Sequence, residues 1–439
     1  MVRDEPVHLS TICDEEHSMT PLLTGTAVFL VTYVIITSER IHRTIAALGG
    51  ALVLVVLGIL TQHRAFEAVD WNVIFLLAGM MIIANVTEKT GVFQWLAIRS
   101  AKIARGNPFY TLALLAGVTA VLSAFLDNVT TVVLIAPVTL YVATILGTKP
   151  MPFLIAQILA SNIGGTATLI GDPPNIIIGS AADLDFVAFL VNLAPPAMII
   201  LLLLLPTMWL FFRKDLQVRS DQRLSIQDLD ESKVITNPPL LRKALIVLGF
   251  TILGFLLHQV VGLEPATIAL IGALVLLAIS GVDLHGILKD VEWATLLFFV
   301  GLFILVEGVV QVGLVGLMAE WLLALAQGNL QVTTLMILWL SAIASGVIDN
   351  IPYTATMVPI VQELGNHMPS RPLWWALALG ACLGGNLTLV GASANVVVAS
   401  ISERGGYPIA FRTFLKYGAV VTLESLLVAT AYVWLRYLM

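Results

Sequence analysis

Charge is what this sequence has least of. Of 439 residues, 22 are Lys or Arg and 28 are Asp or Glu, 11% together, while 58% are hydrophobic. The mean hydropathy is +0.95. That balance excludes an ordinary soluble domain. Cysteine is nearly missing as well. Cys13 and Cys382 are the only two, which leaves no disulfide framework and no ligand spacing for a metal. No G-x-x-x-x-G-K-[ST] string occurs, so any pumping draws on an ion gradient or a separate ATPase subunit. No basic patch points to nucleic acid, and no cofactor is expected. The first nineteen residues are polar and acidic and lack the basic start of a cleaved signal. The span beginning near Leu22 is therefore expected to remain in the mature protein.

Long apolar runs are what the chain has instead. Ten read as bilayer spans: 21–38, 44–60, 72–88, 152–180, 188–212, 243–261, 266–281, 293–311, 373–401 and 414–435. Two more, 109–146 and 331–363, are broken in the middle and read as re-entrant hairpins with polar tips at mid-depth. With both termini extracytoplasmic, 18 of the Lys and Arg residues fall inside and only Arg3, Arg64, Arg371 and Arg436 outside. This is the bias the positive-inside rule describes for a plasma (inner) membrane protein.

The chain is also duplicated. "GALVL" stands at 50–54 and again at 272–276, an offset of 222. At that offset "DWNVIFLLAG" (70–79) meets "EWATLLFFVG" (292–301), and Gly106-Asn107 meets Gly328-Asn329. "FLDNVTTVVLIAP" (125–137) meets "VIDNIPYTATMVP" (347–359). At offset 220, "GGTATLIGDPPNIII" (164–178) meets "GGNLTLVGASANVVV" (384–398). Each half holds five crossings, an odd number, so the second half enters the membrane upside down. The expected fold is an all-α polytopic membrane protein of two inverted-topology repeats, with one re-entrant hairpin and one broken helix per repeat. The expected division is a polar extracytoplasmic tail (1–20), a first repeat (21–212), a cytoplasmic linker (213–242) and a second repeat (243–439).

The polar residues gather where helices should break. Gly164, Gly165, Gly171 and Pro173-Pro174 prevent a continuous helix across 152–180. Freed backbone groups in a membrane are tolerated only against protein or an aqueous cavity. Segment 373–401 should break likewise at 384–395. A glycine-rich kink for close packing would explain the glycines, but not Asp, Thr and Asn gathered there twice. Asp127-Asn128 and Asp349-Asn350 sit at the hairpin tips. A buried carboxylate in a membrane is a functional candidate and would suit proton exchange. It can also cap the following helix, while Asn128, Thr130 and Thr131 face the solute. Glu307 and Glu424 could bridge helices. Asp70 and Glu292 look interfacial, and His258 structural or at the membrane edge. Cys382 could hold a trivalent metalloid or be a small core residue. Segment 91–105 reads as an amphipathic helix on the cytoplasmic surface.

The paired "LDN…P" and "IDNIP" tips, with "SNIGGTATLIGDPPN" between them, resemble the ArsB/NhaD group of the ion transporter superfamily. That group holds arsenical-pump membrane proteins, NhaD-type sodium/proton antiporters and the melanosomal P protein. The resemblance implies a transport domain moving against a scaffold, commonly in a homodimer embedded in membrane lipid. It implies a solute region of Asn128, Thr130, Thr131, Asn162, Gly165, Thr166, Thr168 and Asn175 from the first half. The second half would add Asn350, Tyr353, Thr354, Asn386, Thr388, Ser393 and Asn395. Asp127, Asp172 and Asp349 would couple ions or protons. Ala392-Ser393-Ala394 replaces Asp172-Pro173-Pro174, so strict symmetry is not expected.

Two functions fit. One is export of arsenite or antimonite in exchange for protons: neutral As(OH)3 can be held by amides and hydroxyls without fixed positive charge. The other is Na+/H+ antiport. The metalloid reading stands first at this stage, driven by a proton (or Na+) gradient. A dicarboxylate importer lacks a Lys or Arg at the tips and breaks. An intramembrane aspartyl protease would need two neighbouring Asp, and "GD" at 171–172 only superficially suits it.

Overall fold

The computed structural model describes residues 10–38, 40–216 and 231–439, with side chains from residue 20 onward except at 232 and 233. The tail expected at 1–20, the Cys13 side chain and the middle of the expected linker thus lie outside the described residues. All regular structure among the described residues is helical.

The duplication is visible helix by helix. The first ten helices are α1 (Ser10–Ser38), α2 (Arg43–Val56), α3 (Gln62–Glu67), α4 (Trp71–Glu88), α5 (Val92–Ile103), α6 (Pro108–Phe125), α7 (Asn128–Ile145), α8 (Met151–Thr166), α9 (Pro173–Ala182) and α10 (Phe186–Phe212). The next ten are α11 (Pro238–Val261), α12 (Pro265–Ser280), α13 (Leu284–Asp290), α14 (Trp293–Gln311), α15 (Leu314–Leu325), α16 (Leu330–Val347), α17 (Asn350–Leu364), α18 (Arg371–Gly384), α19 (Ser393–Arg404) and α20 (Phe411–Val433). Each helix of the first set has its counterpart ten labels on. The starts repeat in chemistry too. Asn107 Oδ1 accepts from Phe109 N at 3.0 Å to cap α6, and Asn329 Oδ1 accepts from Gln331 N at 2.9 Å to cap α16.

Nine helices among the described residues are long and apolar enough to cross a membrane. Six of the ten expected spans are among them, and the hairpin arms α6, α7 and α16 make up the nine. Segments 44–60 and 266–281 form helices of only 14 and 16 residues, short of the ~20 a bilayer needs. They stop because Gly58 (φ 74°) and Gly281 (φ 71°) take the left-handed conformation that ends helices. The expected breaks are present: α8 and α9 are separated by 167–172, and α18 and α19 by 385–392. Each hairpin arm described by α6, α7 and α16 has 18 residues, ~27 Å at 1.5 Å per residue. That is close to the ~30 Å hydrocarbon thickness, so by length and composition each of these arms could cross a bilayer by itself.

Two compact units divide the chain. One takes residues 1–71, 293–328 and 359–367. In it α14 packs on α2 so closely that a Cβ at Gly301 would stand 2.8 Å from the Ala47 carbonyl carbon. Thr44 Oγ1 donates to Ala294 O at 2.7 Å, and Arg64 reaches Gln311 and lies 3.9 Å from Glu307. The other unit takes 72–292, 329–358 and 368–439. There the repeat-related pair recurs: a Cβ at Gly79 would stand 2.8 Å from the Ala269 carbonyl carbon.

The second unit also holds both broken helices and both hairpin tips. A Cβ at Gly164 would run into the backbone of Ala120 on α6, and one at Gly384 into Ala342 on α16. The glycines therefore let each broken helix lie directly on a hairpin arm. Glu424 does bridge helices, accepting from Thr207 Oγ1 at 2.9 Å. The described end of the linker is clamped to α4 and α5. Glu231 pairs with Arg99 at 2.7 Å and with Lys102, and Thr236 N donates to Thr90 O at 3.1 Å. Helix α5 differs from the surface helix expected. Val92, Phe93, Ala97, Ile98 and Ala101 are buried in protein, while Ile103 is exposed.

Candidate functional site

The two breaks and the two tips meet in one buried polar network. The sequence sets this up by simple means. Glycines end α8 and α18 early, and the chain then leaves the α-helical hydrogen-bond pattern until Pro173 and Ser393 restart it. The carbonyls left over need donors. Asn175 and Asn395, two residues into the restarted helices, supply them. Asn175 Nδ2 donates to Gly165 O at 3.3 Å, Thr166 O at 3.1 Å and Thr168 O at 2.8 Å. Asn395 Nδ2 donates to Gly385 O at 2.7 Å and Thr388 O at 2.9 Å.

Hydroxyls tie each break to its hairpin arm. Ser123 Oγ donates to Ser161 O at 2.7 Å, and its counterpart Ser345 Oγ to Ala381 O at 2.6 Å. Thr168 donates to Ala124 O, and Thr388 Oγ1 to Gly346 O at 2.6 Å. The same bonds thus form twice, at the offsets of the sequence repeat.

Asp172 lies at the centre, fully buried. Its Oδ1 accepts from Asn128 Nδ2 of the first tip at 3.2 Å. Asn350 Nδ2 of the second tip donates to Oδ1 at 3.2 Å and Oδ2 at 3.1 Å. Both tips and the first break therefore meet at one carboxylate. Asn162 links the halves further. Its Oδ1 accepts from Asn128 Nδ2 at 3.2 Å, and its Nδ2 donates to Asn386 Oδ1 and Asn395 Oδ1, both at 2.9 Å.

Cys382 occupies the position related to Asn162 by the 220-residue offset. Its thiol donates to Asn175 Oδ1 at 3.4 Å, the counterpart of the Asn162 bond to Asn395, and also lies against Asp172. Residue types alone do not show that thiol and amide are equivalent members of the network, or that Ser123 and Ser345 anchor the breaks. The repeat offset was the available signal for both.

Several expected site residues turn elsewhere. Asp127 caps α7, accepting from Thr130 N at 2.9 Å and from the Thr130 hydroxyl. Thr130 therefore serves the cap rather than the centre. Asp349 accepts from Ile351 N at 3.0 Å and from Ser393 Oγ at 2.8 Å. Thr166 and Thr354 bond the carbonyls of Asn162 and Asn350 one turn back on their own helices. Tyr353 OH pairs with Ser341 Oγ of α16 at 3.0 Å. Thr131 is buried with its hydroxyl unpartnered among the described residues.

None of the side chains that bond one another around Asp172 is Lys, Arg or His. Among the described residues no group of three or more His, Cys, Asp or Glu is placed to hold a metal. The centre offers one carboxylate, amides, one thiol and backbone carbonyls. Such a set can exchange a proton, coordinate a small hard cation or hydrogen-bond a small neutral solute.

Known proteins agree with this architecture. An uncharacterized transporter of Mycobacterium tuberculosis is 47% identical over 418 residues, covering 93% of this chain and 97% of the relative. The human P protein is 34% identical over 499 residues, covering 94% of this chain and 60% of the P protein. The resemblance to the P protein read from the tip and break motifs is thereby supported at the level of the whole chain. The crystal structure of the YdaH transporter of Alcanivorax borkumensis, described as having an unusual topology, matches with a TM-score of 0.57. That match has 16% identity and covers 94% of this chain and 98% of that one, a likeness of fold. Residues 33–380 match the citrate transporter family, CitMHS. The chain is an integral membrane transporter and belongs to that citrate transporter family.

Proposed function

We propose that the protein is a gradient-driven secondary transporter in which Asp172 alternately holds a proton and a small cation, with Na+/H+ antiport as the leading reading. The observation that carries it is the single buried carboxylate receiving amides from both tips. A lone carboxylate without a basic partner is costly in a membrane and favours partners that neutralise it. A proton or a monovalent cation does so. The Asn128 and Asn350 side chains that bond it carry amide oxygens that are further hard ligands within reach of the same centre.

The metalloid reading, first on sequence alone, is kept as the second. Cys382 in the network favours it, since thiolates suit soft ions. One thiol is a weak trap for As(III), so the geometry supports the cation more. The family description names citrate. A citrate trianion would meet Asp172 with no Lys, Arg or His in the network, so bare citrate is not proposed as the solute.

The test is uptake into proteoliposomes under an imposed pH gradient, comparing Na+, Li+, As(III), Sb(III) and citrate. Saturable Na+ or Li+ uptake, abolished by Asp172→Asn, is the expected result. Binding of As(III) that weakens in graded steps on single substitution of Asn128, Asn350 or Thr388 would promote the second reading. Each lost hydrogen bond to a neutral solute costs about 0.5–1.5 kcal/mol, a few-fold to tenfold in affinity.

A further inference from the structure

A cavity of about 310 Å3 lies in the same unit as the centre. It is walled by α4, the unwound stretch before α9, the end of α9 and the turn after it, the end of α11 and the start of α12. Its floor includes Leu169 and Ile176. These are the chain neighbours of Thr168 and Asn175, which are joined by a 2.8 Å hydrogen bond inside the network. Its rim carries Asp183, Asp185 and Glu264, and no Lys or Arg lines it.

The three carboxylates are not equivalent. Asp185 is engaged: it caps α10 through Ala188 N at 2.5 Å and accepts from Gln259 of α11. His258 Nε2 lies 3.5 Å from Asp185 Oδ2, a buried atom with no hydrogen-bond partner among the described residues. Asp183 ends α9 in the left-handed region (φ 52°). Glu264 precedes α12 without capping it. Asp183 and Glu264 thus contribute charge to the cavity without holding a helix end through their side chains.

We propose that this cavity is the route by which water and a cation reach Asp172 from one face of the membrane, and that Asp183 and Glu264 select positive charge at its mouth. The proposal rests on the cation-coupled reading above. Concave walls lined by one sign of charge focus the field and raise the local concentration of counter-ions. Leu169 and Ile176 are buried and each stands one residue from a network member, on the two stretches of chain that flank Asp172.

The test uses the full chain in proteoliposomes and needs no transport. Ser180→Cys places a thiol in the lining near the mouth, and Leu169→Cys places one at the floor. Each variant is exposed to a trimethylammonium-bearing and a sulfonate-bearing methanethiosulfonate. Adducts are located by peptide mass, so the native Cys13 and Cys382 are scored separately. Both positions should react, the cationic reagent faster by roughly tenfold, the lower end of electrostatic focusing. That preference should disappear in the Asp183→Asn/Glu264→Gln background. The same pair should raise the KM for Na+ several-fold with kcat retained. Equal rates for the two reagents, or a floor thiol that never reacts, overturns the route. Should Asp172→Asn keep full transport, the cation-coupled reading fails, and the labelling still decides the route by itself.

Discussion

Replacing Asp172 by Asn separates the carboxylate's charge from its volume. Asp172 accepts three amide contacts, at 3.2, 3.2 and 3.1 Å, from Asn128 and Asn350. An Asn in its place keeps one acceptor oxygen and turns an NH2 group toward two others. At least one tip amide then loses its partner, at about 1–3 kcal/mol. Removing a buried charge that has no basic partner acts in the opposite direction, by several kcal/mol. The two effects offset, so the variant should fold and melt within a few degrees of the parent. Function should not survive in the same way. A cation brought to that centre would lack its counter-charge, an uncompensated buried charge costing about 3–5 kcal/mol. That corresponds to a loss of roughly a hundred- to several-thousand-fold in affinity. The assay is pH-gradient-driven uptake alongside a thermal unfolding curve. A well-folded Asp172→Asn protein with more than a tenth of parental transport would refute the reasoning and point to a neutral, hydrogen-bonded solute.

Four further expectations follow from particular contacts. Asp127→Asn preserves an N-cap, whereas Asp127→Ala should lower stability by about 0.5–2 kcal/mol in thermal unfolding; loss of transport in the Asn variant would return Asp127 to the coupling role. Gly164→Ala or Gly384→Ala drives a methyl into the backbone of α6 or α16 and should cost about 1–3 kcal/mol. Gly117→Ala, with nothing near its Cβ position, should be neutral or stabilising by up to about 1 kcal/mol, and the contrast is read in thermal unfolding. Lys102, helped by Arg99, holds the Glu231 carboxyl below its usual 4.5 against the opposing effect of desolvation. The linker clamp is therefore fully present above that value and is lost as pH falls through the lowered one. Hydrogen exchange at 234–237 should rise on acidification in the parent, and be high at every pH in Glu231→Gln. Finally, the charge sorting predicts that a Cys introduced at 183 is labelled from outside the cell. One introduced at 220, a position outside the described residues, should be labelled only from within; the reverse pattern would overturn the assigned orientation.

Much of this could be read from residue types alone. Breaks at Gly164-Gly165 and Gly384-Gly385, caps at Asn107 and Asn329, and the pairing of Asn128 with Asn350 all follow from local chemistry repeated at a fixed offset. The unmatched Asp172 was equally visible, because Ala392 stands where its partner should be. Depth and direction were harder. Hydropathy counts apolar residues but does not see that Gly58 and Gly281 stop α2 and α12 short of a span. Nor does it show that Thr130 turns to Asp127 while its neighbour Asn128 turns to Asp172. The equivalence of Cys382 and Asn162 needed the repeat alignment to be carried two residues further back than its last identical glycine. Even then, the bond each makes depends on where Asn175 and Asn395 point, which only packing decides.

Asp172 faces an alanine across the repeat, and that has an electrical consequence. A doubled cradle would ordinarily hold two like charges, which repel at close range and would tend to load together. Here the scaffolding bonds are kept twice and the central carboxylate once. In the proposed exchange, that group can hold at most one compensating charge at a time. A membrane potential of 100 mV acts on one elementary charge with about 2.3 kcal/mol. In the proposed one-for-one exchange of a proton for a monovalent cation on that group, the two charges cancel and the potential does no net work, so a pH step of one unit sustains about a tenfold cation gradient. An aspartate placed at residue 392 would offer a second site, and with it an uneven exchange on which the potential could act, at the cost of forcing two carboxylates into one dry space.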